Sequence, residues 1–227
     1  LIDRADWAEK HLRYRFTDPT LLEQALTHRS ASKRNNERLE FLGDALLNFT
    51  IARRLYLLRP NDAEGDLSRA RASLVNKTVL AGIGREIGVD EQIILGPGES
   101  RSGGAQRSSA LADTLEAIFG AVLLDGGHQA AAELIEFLFT QRLESLPDAG
   151  ALKDSKTKLQ EWLQGRGYGL PRYAVELIQG RDHDQVFTVT CHVEEKGRKS
   201  TGTGSSRRRA EQDAAAAMFA VLSREPE

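Results

Sequence analysis

Apolar residues recur at helical spacing through most of the first two-thirds of the chain. Between 36 and 58, Leu39, Leu42, Leu46 and Phe49 fall three or four apart, and Leu111, Leu115, Ile118 and Val122 repeat the interval between 108 and 124. That interval gathers the apolar groups on one helix face. The pattern predicts helices near 3–12, 18–27, 36–58, 65–88, 108–124 and 128–145, with Gly126-Gly127 ending the fifth. Residues 96–107, from Gly96-Pro97-Gly98-Glu99 to Gly103-Gly104 and on, predict a glycine-rich loop.

At Pro147-Asp148-Ala149-Gly150 the pattern breaks, which predicts a linker over 147–152. Beyond it the period changes. A short helix over Lys156 to Gln164 is expected to stop at Gly165. Tyr173, Val175 and Leu177 then alternate with less apolar neighbours, as do Phe187, Val189, Cys191 and Val193. Thr201 to Gly204 reads as a third strand. A last helix would carry Ala210, Ala214, Ala217, Met218 and Val221 on one face. The expected architecture is an all-α domain (1–146), then a small α+β domain (153–223) in the order α-β-β-β-α.

The 227 residues suffice for one medium and one small domain, and 40% hydrophobic with 28% charged residues is the composition of a soluble globular protein. No apolar run is long enough to span a bilayer. The start, Leu1-Ile2-Asp3-Arg4, shows no secretory leader, and its lack of Met suggests a processed start. A single cysteine, Cys191, excludes an internal disulfide and a cysteine-based zinc site, and it fits a cytoplasmic location. The net charge of -2 splits into -4 over residues 1–152 and +2 over 153–227. Neither half is extreme, so the placement of charges carries more than the totals.

The acids are the informative residues. In Asn36-Glu37-Arg38-Leu39-Glu40-Phe41-Leu42-Gly43-Asp44, the three carboxylates are three and four apart and must crowd one helix face. Asp44 lies in an apolar run, where an ionised carboxylate loses hydration. Asp113 and Glu116 repeat the arrangement on a second apolar helix. Gly43 and Gly120 each cost a helix about 1 kcal/mol relative to Ala, and they permit close approach of a backbone or a ligand. Two such helices could meet at one acidic pocket, with Mg²⁺ as its natural occupant. Structural alternatives stay open for four of the acids: Glu37 and Glu40 complementing the helix dipole, Asp44 pairing with a buried Arg, Asp113 as a first-turn acid. Against all of them being structural, the same faces supply no compensating positive charge.

The run from Asn36 to Ala45 resembles the signature of ribonuclease III. Ala25-Leu26-Thr27-His28-Arg29-Ser30, Glu64-Gly65-Asp66-Leu67-Ser68 and Leu111-Ala112-Asp113-Thr114-Leu115-Glu116-Ala117 resemble further segments of that family. The resemblance implies a double-strand-specific endoribonuclease. It makes Glu40, Asp44, Asp113 and Glu116 metal ligands, with Asp44 and Glu116 catalytic and Glu37 and Glu64 accessory acids of the cleft. Mg²⁺ is the implied cofactor, with Mn²⁺ as substitute and no small-molecule cofactor. The resemblance also implies a homodimer with Phe41 at its contact, products with 5′-phosphate and 3′-hydroxyl ends, and processing of ribosomal RNA precursors. Where the family often has Gly-Lys-Gly-Glu, this chain has Gly96-Pro97-Gly98-Glu99, with Pro97 in place of the basic residue. His28 and Ser30 could suggest a nucleophile and base, but no third orienting group is evident.

Residues 152–222 resemble a double-stranded-RNA-binding domain. The resemblance puts Thr157 and Gln160 of its first helix, His183 of a loop, and Arg207 and Arg208 of its last helix on RNA. The family usually has lysines at the last two positions, so charge is kept while geometry changes. Independently, Arg207-Arg208-Arg209 open a helix at its positive dipole end, unfavourable by about 0.3–1 kcal/mol per charge unless a phosphate docks there. The rival from another class is a non-enzymatic RNA-binding or ribosome-associated scaffold, and a third reading is a helical protein that binds metal structurally.

Overall fold

The computed structural model describes residues 3–148, 150, 153–181 and 184–224. It divides into two units, Leu1–Ala149 and Gly150–Glu227. Part of the expected linker (149, 151 and 152) and His183 lie outside the described residues.

Unit 1 is helical: α1 Arg4–Leu12, α2 Pro19–Leu26, α3 Glu37–Leu58, α4 Glu64–Leu74, α5 Lys77–Glu86, α6 Pro97–Arg101 and α7 Ser108–Glu144. The pairing of α3 with α7 is its centre. Leu47, Ile51 and Leu55 of α3 and Leu111, Leu115, Ile118, Phe119, Ile135 and Phe139 of α7 are fully buried. Each such side chain contributes roughly 1.5–3 kcal/mol by leaving water. From Leu115 to Val122, α7 buries every residue but Glu116, as a helix enclosed by others does. Gly127, at φ 80 and ψ 178, kinks α7 where the glycine pair interrupts the periodicity.

Three sequence expectations for this unit are corrected. The single helix over 65–88 is two helices. The Asn76 Oδ1 accepts from Thr78 and Val79 N–H, both at 3.1 Å, and starts α5, while its Nδ2 donates to the Ala72 and Ser73 carbonyls at the end of α4. Residues 96–107 are not all loop: Pro97 begins α6 and Gly104–Gln106 form a 3₁₀ turn. Phe49 does not join the core: it is 56% exposed, because Leu46, Leu47, Thr50 and Ile51 hold the inner face of α3.

Unit 2 runs α8 Ser155–Gln164, β1 Arg172–Gln179, β2 Val186–Val193, β3 Arg198–Gly204, α9 Arg207–Leu222. The antiparallel sheet has order β1-β2-β3. Leu159, Leu163, Cys191, Val193, Ala214, Ala215, Met218 and Leu222 form its core. The alternation of β2 matches its inward face, Val189, Cys191 and Val193. That of β1 does not. Its register shifts between Val175 and Leu177, and both of those residues are exposed on an edge strand. On α9 the inner face uses Ala215 and Leu222, and Val221 is exposed, because the helix faces the sheet about one position away from the expected stripe.

Candidate functional site

The approach of α3 to α7 creates the site. A Cβ on Gly43 would stand 1.8 Å from the Glu116 carbonyl oxygen, and one on Gly120 would stand 2.2 Å from that of Leu39. Bare glycines at both crossing points let the two backbones touch, so the close partner is a backbone. Asn36, buried just before α3, donates from Nδ2 to the Thr114 hydroxyl at 3.5 Å and fixes the start of α3 against α7.

This contact brings together Glu40 of α3 with Asp113 and Glu116 of α7. Each offers a carboxylate oxygen within 4.8 Å of the other two. Burial pushes the Glu116 carboxyl up to about 8, helped by the charges of Asp44, Glu40 and Asp113 and opposed by Lys77. Burial also raises Glu40, with Asp113, Glu37 and Asp44 adding to it. Asp113 is raised by burial, offset in part by Lys77, His28 and Arg29. Three partly buried carboxylates that resist ionising together could hold a metal ion.

The other expected site residues are placed differently. Asp44 is exposed, contrary to the hydration loss expected from its apolar run, because Gly43, Leu46 and Leu47 take the inner face. Its Oδ1 accepts from Asn48 Nδ2 at 2.8 Å, and Asp44 stands outside the 4.8 Å triad while acting electrostatically on Glu40 and Glu116. Glu37 is 3.7 Å from Arg29 and lines, with Glu40, Asp113, His28, Glu99 and Arg107, a pocket of about 440 Å³. Glu64, first residue of α4, accepts from the Ser68 hydroxyl at 2.7 Å and does not line that pocket. Phe41 is 79% exposed. His28 Nδ1 and Ser30 Oγ are 2.8 Å apart, but that hydroxyl also accepts from Gly96 N–H at 3.0 Å and ties two loops together.

Lys77 was missed by the sequence reading: it lies on a helix other than the two that carry the acids. It opens α5, which packs on α7, and acts on Glu40, Asp113 and Glu116 alike. Only the break at Asn76, which starts a new helix there, could have signalled it.

In unit 2, Asp154 Oδ1 accepts from Thr157 N–H at 2.9 Å and caps α8, which presents an exposed Gln160. Asp154 is partly desolvated, but hydrogen bonds from Thr157 and Gln212 and the nearby charge of Arg208 hold it below the usual carboxylate range. Ser206 caps α9, where Arg207, Arg208 and Arg209 are exposed. The repulsion expected at this helix start is relieved one turn in by Glu211, whose Oε1 accepts from Arg207 Nε at 2.9 Å.

Fold and site thus define a helical domain with a carboxylate cluster, followed by a small α-β-β-β-α domain whose last helix opens on exposed arginines. Residues 18–143 match the family model described as ribonuclease-III-like, and residues 155–222 match the double-stranded RNA binding motif. Ribonuclease 3 of Nitrosococcus oceani is 51% identical over 220 residues, covering 96% of this chain and 94% of the relative. That of Alkalilimnicola ehrlichii is 50% identical over 217 residues, covering 96% and 95%. The solved nuclease domain of Campylobacter jejuni ribonuclease III superposes with TM-score 0.59 at 42% identity, covering 60% of this chain and 96% of that one. The chain belongs to the ribonuclease III family. It is an endoribonuclease with a double-stranded-RNA-binding domain. Among the described residues, no helix is long and apolar enough to cross a membrane.

Proposed function

We propose that this endoribonuclease hydrolyses double-stranded RNA with Mg²⁺, or Mn²⁺ in its place, and leaves 5′-phosphate and 3′-hydroxyl ends. The observation that carries this reading is the convergence of Glu40, Asp113 and Glu116 within 4.8 Å, with Glu116 pushed up to about 8. An all-carboxylate set suits Mg²⁺ or Mn²⁺. Glu40, Asp44, Asp113 and Glu116 would hold the ion. When bound, a divalent ion neutralises phosphate oxygens, activates water and stabilises the leaving oxygen. The chain's own acids do the rest. Asp44 and Glu116 flank the reacting phosphate, and Glu37 and Glu64 shape the cleft. Arg29, opposite Glu37, and Lys77 limit the repulsion a polyanion meets there.

RNA is held through Thr157, Gln160, His183, Arg207 and Arg208, reading A-form shape, 2′-hydroxyls and phosphates with little sequence preference. The enzyme acts as a homodimer in the cytoplasm on ribosomal RNA precursors and other structured transcripts, with no small-molecule cofactor. The α3 surface supports the dimer: Phe41, Phe49, Tyr56 and Leu57 are 79, 56, 70 and 56% exposed on one helix. The solved Campylobacter jejuni nuclease domain is described as having a region involved in dimer formation. Asp44→Asn and Glu116→Gln are expected to cut duplex RNA at least about 100-fold more slowly in Mg²⁺, with gel-shift affinity nearly unchanged. Parallel losses of binding and cutting would refute the assigned roles, and a wild-type protein equally active in EDTA would refute the metal.

A further inference from the structure

Glu211 links the two helices of unit 2 that are read above as RNA-facing. Both of its carboxylate oxygens are engaged. Oε2 accepts from Lys156 Nζ of α8 at 2.7 Å, and Oε1 accepts from Arg207 Nε of α9 at 2.9 Å. Its side chain is 13% exposed, whereas that of Arg207 is 65% exposed. The hydrogen bond from Lys156 leads the effects that hold the Glu211 carboxyl below the ordinary range, so it is ionised at neutral pH. Lys156 is fixed in turn: its ammonium lies 4.3 Å from the centre of the Tyr173 ring, and its backbone N–H donates to Gln212 Oε1 at 3.1 Å. The next residue is Thr157, and Gln160 follows one turn later.

We propose that Glu211 is a positioning residue for duplex RNA. It clamps the start of α8 to the start of α9 and holds the Arg207 guanidinium by Nε, leaving the outer nitrogens for a phosphate. The 2′-hydroxyl-facing and phosphate-facing residues are thereby preset relative to each other, and less side-chain freedom is lost on binding. A-form duplex demands this, because its minor grooves and the phosphates between them are contacted together.

Simple electrostatics predicts the opposite sign. Glu211 is an anion beside groups that face a polyanion, so its removal should tighten binding. The clamp predicts weaker binding despite the gain in positive charge.

The inference rests on the phosphate-binding role of Arg207, and one experiment separates the two. Anisotropy titrations of a labelled RNA duplex in EDTA, at several salt concentrations, would compare the full-length wild type with Glu211→Gln, Glu211→Asp, Arg207→Ala and the Glu211→Gln/Arg207→Ala pair. The clamp predicts losses of about 5-fold for Glu211→Gln, and for the pair a loss well short of the product of the single losses. Glu211→Asp keeps the charge but is too short to bridge both partners, so it too should weaken binding; a thermal midpoint near that of wild type shows that it remains folded. Tighter binding by Glu211→Gln, or wild-type binding by Glu211→Asp, overturns the clamp while Arg207 stands. An unaffected Arg207→Ala overturns the phosphate role, and the inference with it.

Discussion

Replacing Gly43 by alanine tests the geometry on which the cluster depends. On helix propensity alone the change stabilises α3 by about 1 kcal/mol. The structure reverses the sign. The new Cβ would lie 1.8 Å from the Glu116 carbonyl oxygen, 2.7 Å from its carbon and 3.0 Å from Gly120 N. Ordinary carbon–oxygen contacts are about 3.3 Å or longer, so the helices must separate by roughly 1.5 Å. Backbone atoms cannot rotate out of the way. Overpacking costs about 1–3 kcal/mol and sits at the upper end here, so the net loss is about 2 kcal/mol. In a domain of this size that lowers Tm by about 4–8 °C. Thermal unfolding followed by circular dichroism reads this directly. The same separation pulls Glu40 away from Asp113 and Glu116, so Mn²⁺ affinity should fall with it. A Tm equal to or above that of wild type would refute the close-approach argument.

The raised Glu116 carboxyl makes a pH prediction for metal-free protein. Its pKa is raised from 4.5 to about 8. Between those values the folded state keeps a proton that the unfolded state has lost, so stability falls as pH rises through the window, and the whole penalty is present above pH 8. Because Glu116 is only partly buried, solvent screening reduces the effect to about 1–2 kcal/mol. Glu116→Gln carries no such penalty. In EDTA its Tm advantage over wild type should grow from pH 5 to pH 8.5, and a gap independent of pH would count against the shift. Divalent affinity of the wild type should rise over the same range, since the ion competes with that proton.

Helical periodicity made α3 and α7 legible, and period-two alternation did the same for β2, which buries one regular face. It failed where local geometry interrupts the repeat. Asn76 looks like one polar residue inside a long helix, yet its side chain ends one helix and begins another. The bulge between Val175 and Leu177 removes the inward face that alternation assigns to β1. At the acidic site, spacing brought each pair of acids to one helix face. That Glu40, Asp113 and Glu116 would come within 4.8 Å of one another while Asp44 falls outside that group depends on how two helices cross, which spacing does not encode. Gly43 and Gly120 were visible as anomalies, and the partner that each admits was not. Lys77 and Glu211 lie one helix or one turn from the residues they serve, and nothing in a linear pattern joins a charge to a neighbour across the fold.

The most direct test of the central claim is anomalous diffraction from crystals of the protein soaked in Mn²⁺. The account predicts a peak bonded to oxygens of Glu40, Asp113 and Glu116, and loss of that peak in Glu116→Gln. An ordered ion bound elsewhere, with the three carboxylates left uncoordinated, would contradict it.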